Sequence, residues 1–225
     1  MTFSLSRRLA AEFLGTAFLL MAVVGSGIMG ERLSSGNVGV ALLANSIATG
    51  AALIALILTF GPISGAHFNP VVTLFFASRK EFEWKFVTPF LLAQISGAFF
   101  GVLCAHLMFG LPVFSVSQHA RSGASQLFSE LIATLGLLLV IASCVKFRSS
   151  ALPYAVGAYI AAAYWFTSST SFANPAVTLA RALTDTFAGI HPRNVPGFLL
   201  AQLFAAVGAV ALAPWLISPT LSGGK

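Results

Sequence analysis

Six stretches of this chain stay apolar for about the length of a membrane span: residues 9–30, 38–60, 86–109, 127–148, 152–168 and 197–217. A hydrocarbon core of about 30 Å takes roughly 20 helical residues to cross. Two further apolar stretches, 61–79 and 169–185, are too short and too broken to span. The first holds Gly61-Pro62, Gly65 and Asn69-Pro70; the second follows Ser168 with Ser169-Thr170-Ser171 and then Asn174-Pro175. A helix of about ten residues opening at Asn-Pro covers roughly 15 Å, half a bilayer. The pattern predicts an all-α membrane protein of six spans, with two half-helices that enter from opposite sides and meet near the middle. Irregular backbone at that depth persists only where protein buries it or where it borders a water-filled cavity.

The second half of the chain echoes the first. Ala11-Glu12-Phe13-Leu14-Gly15-Thr16 returns as Ser129-Glu130-Leu131-Ile132-Ala133-Thr134, and His67-Phe68-Asn69-Pro70-Val71-Val72-Thr73-Leu74 as Phe172-Ala173-Asn174-Pro175-Ala176-Val177-Thr178-Leu179. Ala93-Gln94 returns as Ala201-Gln202, and the three separations are 118, 105 and 108 residues. Each copy holds three spans, an odd number, so the copies must be inverted in the membrane. One domain over 1–225 follows, with inverted repeats at about 9–110 and 127–218. Paired broken segments at corresponding positions point to a solute pathway.

Composition narrows the class. Of the 225 residues 57% are hydrophobic and 8% charged, with mean hydropathy +0.91, whereas soluble domains carry about 25% charged residues. This excludes a soluble globular enzyme, a disordered chain and a nucleic-acid binder. Cys104 and Cys144 lie in apolar runs and offer neither a disulfide scaffold nor a metal cluster. A cytoplasmic N-terminus puts Arg7, Arg8, Arg79, Lys80, Lys85, Lys146, Arg148 and Lys225 inside and only Arg32, Arg121, Arg181 and Arg193 outside. That bias predicts both termini in the cytoplasm. Arg7-Arg8 precede the first span without a small-residue cleavage site, so it reads as a retained span.

Asn is a favoured N-cap and Pro a favoured first helical residue. A single Asn-Pro would merely start a helix; two, in segments that cannot span, suggest more. Facing N-termini place partial positive charge at the midplane and repel cations. The two Asn amides then offer hydrogen bonds to a passing oxygen, which suits neutral hydroxylated solutes.

Ser64-Gly65-Ala66-His67-Phe68-Asn69-Pro70-Val71-Val72-Thr73 and Asn174-Pro175-Ala176, with Glu12 and Glu130 on spans, resemble the aquaporin (major intrinsic protein) family. The resemblance covers nearly the whole chain. It implies the aquaporin fold, a homotetramer with one pore per protomer, and passive conduction past signatures Asn69-Pro70-Val71 and Asn174-Pro175-Ala176. Val71 departs from the family's Ala. The resemblance also implies that Glu12 and Glu130 accept hydrogen bonds from the unwound backbone, freeing carbonyls of Gly65, Ala66 and His67 and of Ser171, Phe172 and Ala173 to line the pore. Proton coupling is the alternative use of such carboxylates. His67 is expected to line the pore as well. No second His stands near it at ligand spacing, so neither a metal nor a cofactor is expected. No paired carboxylates or nucleophile–base set stands near the signatures, so an enzyme is not expected either.

The family's outer filter is where this chain departs. Its hallmark Arg stands three residues after the second signature Asn, and that residue here is Val177. Counting by motif spacing gives Ser171 and, on the second span, Thr49, where an aromatic is usual. The fourth position is Ala162 by simple counting, or Tyr164 if Gly50 and Gly157 are equivalent; the latter is favoured. Thr178 replaces the Asp of glycerol facilitators. Arg181, one turn beyond Val177, either carries the cation into the vestibule or snorkels to headgroups. The filter is therefore wide and weakly charged. Together with the resemblance to metalloid-permeable aquaglyceroporins, this suggests an inner-membrane channel for small neutral solutes: arsenite, methylated arsenicals, glycerol and water. The alternatives are a water-selective channel with a drifted filter, a proton-coupled secondary transporter and a non-conducting structural membrane protein.

Overall fold

Local chemistry opens and closes the helices. Asn37 caps the second helix by accepting from the Val40 amide, and Gly65, at φ 95°, ends it. Gly110, at φ 66°, ends the fourth. In the computed structural model, which describes residues 3–218, the order is α1 Leu5–Leu33, α2 Val38–Ser64, α3 Pro70–Ser78 and α4 Val87–Phe109. Then follow α5 Ala124–Phe147, α6 Leu152–Phe166, α7 Pro175–Ala180 and α8 Val195–Ile217. There is no strand among the described residues. Lys225, placed inside by the charge bias, lies outside them.

Five helices, α1, α2, α4 with its leading turn, α5 and α8 with its leading turn, are long and apolar enough to cross a membrane. α6 has 15 residues, about 22 Å, and stops short of the expected residue 168. Thr167 is extended there, because the hydroxyls that follow bond elsewhere: Ser168 Oγ lies 2.9 Å from Ser129 Oγ and Ser169 Oγ donates to Glu130 at 2.6 Å. α7 is also shorter than the ten residues expected, with six helical residues passing into a single 3-10 turn at Arg181–Leu183.

α1 packs on α2 and α4, α5 on α6 and α8, and α2 on α6 joins the halves. The short α3 lies against α4 and α8, and α7 against the same pair. Small residues let these helices approach closely, as in other membrane bundles. A Cβ built on Gly97 or Gly101 would overlap the Phe13 or Ala17 carbonyl of α1, and one on Gly50 or Gly157 would overlap the other's backbone oxygen. Gly101→Leu is therefore expected to force α4 off α1. Overpacking a tight contact costs about 1–3 kcal/mol, and a backbone neighbour puts this site at the upper end. A lower melting temperature in detergent checks it, against Leu107→Ala on the exposed face as control.

Around an apolar core, polar side chains are also buried and large apolar ones face outward. Glu12, Gln94, Glu130 and Gln202 are fully buried, while Phe204, Val207 and Trp215 are exposed. A hydrocarbon surrounding suits that arrangement.

Candidate functional site

Two buried carboxylates organise the centre. Glu12 Oε1 accepts from Ser64 Oγ at 2.6 Å and the His67 amide at 3.0 Å; Oε2 accepts from the Phe68 amide and Gln94 Nε2, both at 2.8 Å. Glu130 repeats the set. Its Oε1 accepts from Ser169 Oγ and the Phe172 amide, and its Oε2 from the Ala173 amide and Gln202 Nε2. An ionised carboxylate has about four acceptor sites, all taken up here by donors.

The carboxylates hold unusual backbone. Gly65, Ala66 and Phe68 have φ of 95°, 49° and 49°, and Thr170, Ser171 and Ala173, their counterparts in the other loop, have 60°, 50° and 46°. A non-glycine residue in the left-handed region costs on the order of 1–3 kcal/mol and persists only where its surroundings enforce it. Four hydrogen bonds to each carboxylate do so here.

The loops deliver the chain to α3 and α7. Asn69 Oδ1 accepts from the Val71 amide, and Asn174 Oδ1 from the Ala176 and Val177 amides. Each cap also reaches across: Asn69 Nδ2 donates to the Ala173 carbonyl at 2.7 Å, and Asn174 Nδ2 to the Phe68 carbonyl at 2.8 Å. The N-termini of the half-helices thus abut. One amide hydrogen of each Asn is engaged, leaving one rather than two for a solute, and the Ala173 carbonyl already holds one bond.

A cavity of about 610 Å³ runs past this junction. Gly65, Ala66, His67, Phe172 and Ala173 border it, together with both signature Asn residues. Pro70, Val71, Pro175 and Ala176 are buried and are not part of its lining. His67 Nδ1 lies 3.0 Å from Thr73 Oγ1, and its ring stacks on Phe76 with centroids 5.2 Å apart. Apolar side chains such as Leu53, Ile57, Val156 and Ile160 form the remaining wall.

Thr49, Tyr164, Ser171 and Val177 also border the cavity. Thr49 Oγ1 and Tyr164 OH lie 3.2 Å apart. Ser171 Oγ has no hydrogen-bond partner among the described residues. Ala162 is exposed on the outside of α6, while Tyr164 is buried. Arg181 does not snorkel: it is buried and borders the cavity.

Several residues escaped the sequence reading. Gln94 and Gln202 were visible as an echo without a role; each ties a carboxylate to a half-helix hydroxyl, Thr73 or Thr178, at 2.9 Å. Thr178, where facilitators carry Asp, also donates to the Asn174 carbonyl. His106, fully buried, lies 2.6 Å from the Pro112 carbonyl and 2.7 Å from Thr184 Oγ1, pinning an outer loop. Arg121 donates to the Gly189, Ser169 and Phe187 carbonyls from the loop before α5. Burial lowers its pKa from the ordinary value, against the opposing pull of Tyr164 and Glu130. No local pattern marks these partners. Among the described residues no group of three metal-ligating side chains gathers.

Known proteins resemble this chain. Residues 1–149 match the family described as Major intrinsic protein. Aquaglyceroporin AqpS of Rhizobium meliloti is 50% identical over 217 residues, covering 96% of this chain and 93% of that protein. Aquaporin AqpM of Methanothermobacter marburgensis is 38% identical over 112 residues, 44% of this chain and 46% of its own. The X-ray structure of the aquaglyceroporin from Plasmodium falciparum superposes with a TM-score of 0.73 at 24% identity, covering 94% of this chain and 95% of its own. That likeness shows the aquaporin fold.

Proposed function

This chain belongs to the major intrinsic protein family, and we propose that it conducts glycerol, water, neutral arsenous acid and methylated arsenicals through a wide outer filter. It is a multi-pass membrane channel for small neutral solutes and not an enzyme. The observation that carries the finer reading is that Thr49, Tyr164, Ser171 and the apolar Val177 all border the cavity. Three hydroxyls and an apolar side chain in the same wall suit a solute that carries both oxygens and an apolar edge. The 50% identity to a protein named aquaglyceroporin supports glycerol. We further assign Glu12 and Glu130 a structural role, the carbonyls of the two loops a pore-lining role, and the two inverted repeats to one domain.

The assembly is a homotetramer in the inner membrane with both termini cytoplasmic. The exposed apolar side chains and the Lys and Arg bias support that reading. Reconstitution into liposomes tests the function. Glycerol and water should equilibrate at rates unchanged when pH and voltage gradients are collapsed. Uptake that needs either gradient would establish the coupled-transporter alternative, and vesicles that swell only with water would establish a water-selective channel.

A further inference from the structure

Val177 leaves the outer constriction without a cation, yet two arginines stand close by. Arg181 follows α7 one turn beyond Val177. It is 2% exposed and borders the cavity beside Tyr164 and Ser171. Its Nε donates to the Ala188 carbonyl, and its two terminal nitrogens have no hydrogen-bond partner among the described residues. The guanidinium lies 3.4 Å from the centroid of the Phe172 ring. Arg121 approaches the same ring at 5.0 Å with its donors spent on loop carbonyls and Thr170 Oγ1. Neither arginine forms an ion pair; those among the described residues are Arg79–Glu81 and Lys85–Glu83.

A buried guanidinium without a carboxylate is costly to hold. The Phe172 face offsets part of that cost, and the cavity leaves the terminal nitrogens free. Carboxylate pairing would have been cheaper, and it would also have cancelled the charge.

We propose that Arg181 is the specificity-determining cation of the outer constriction, held over Phe172 and displaced one turn outward from the ring at Val177. This rests on the channel reading. The displacement separates two tasks: Val177 leaves the ring wide enough for polyol-sized solutes, while Arg181 sets the charge selection. Its free nitrogens form a fork of donors for the oxygens of an uncharged solute. A potassium ion meets an unneutralised positive charge in a low-dielectric wall instead.

Potassium leak and glycerol swelling, measured on the same proteoliposomes, test this. Arg181→Gln should raise the ratio of potassium leak to glycerol flux about tenfold or more. Arg181→Met keeps the apolar stem over Phe172, carries the same expectation, and decides the matter if the Gln variant does not fold. Arg181→Lys should stay tight to potassium. Adding Val177→Arg to Arg181→Gln should restore tightness. A conducting Arg181→Gln or Arg181→Met channel that remains as tight to potassium as wild type overturns the proposal. Wild-type vesicles that pass no glycerol overturn the channel reading instead.

Discussion

Val177→Arg should cut glycerol permeation at least about tenfold relative to water, a difference of ~1.4 kcal/mol in the barrier. Val177 is buried at the wall that Thr49, Tyr164 and Ser171 complete. A guanidinium there adds bulk and a full charge where water is scarce and electrostatics are strong. Thr49→Trp should act in the same direction through size alone, and Val177→Ala should preserve the broad solute range. Stopped-flow swelling with water and glycerol on purified, assembled protein measures both. Equal glycerol-to-water ratios in wild type and Val177→Arg would mean that Val177 does not form the constriction.

Glu130→Leu should abolish the folded state under most detergent conditions. The change removes the acceptor of Ser169 Oγ, of the Phe172 and Ala173 amides and of one of the two Gln202 Nε2 hydrogens, the other staying on Thr178. Each buried donor left unsatisfied costs about 1–3 kcal/mol, and the sum rivals a typical total stability of about 5–15 kcal/mol. The left-handed backbone at Thr170, Ser171 and Ala173 loses its restraint as well. Glu130→Gln keeps one acceptor oxygen and should fall between. The check is the melting temperature and the monodisperse fraction after purification. A Glu130→Leu variant that melts like wild type would remove the carboxylate from its structural role. Conversely, a Glu130→Gln channel that folds normally and gains or loses a gradient dependence would point back to proton coupling.

The spans, the broken segments and the Asn-Pro helix openings were legible in the sequence because they rest on local chemistry. Hydropathy over about 20 residues, an Asn cap followed by Pro, and glycine at a helix end each act within a few positions. The echo between halves carried further, bringing Glu12 and Glu130, Asn69 and Asn174, and Gln94 and Gln202 into register. Helix lengths were less legible. The end of α6 depends on whether Ser168 and Ser169 bond to their own backbone or to side chains on α5, which is a tertiary choice.

What each of those residues touches was decided by the tertiary structure alone. Counting left Ala162 and Tyr164 open, and the direction of the last turn of α6 buries Tyr164 beside Thr49, 115 residues away. Arg181 had two readings until its side chain was found inside, over Phe172. Arg121 and His106 carried no signal, since their acceptors are carbonyls and hydroxyls of distant loops. The sequence by itself determined a membrane bundle with two half-helices, because periodicity and capping are properties of neighbouring residues. The fold decided the direction of each polar side chain, because a buried donor must find its acceptor wherever distant segments place it.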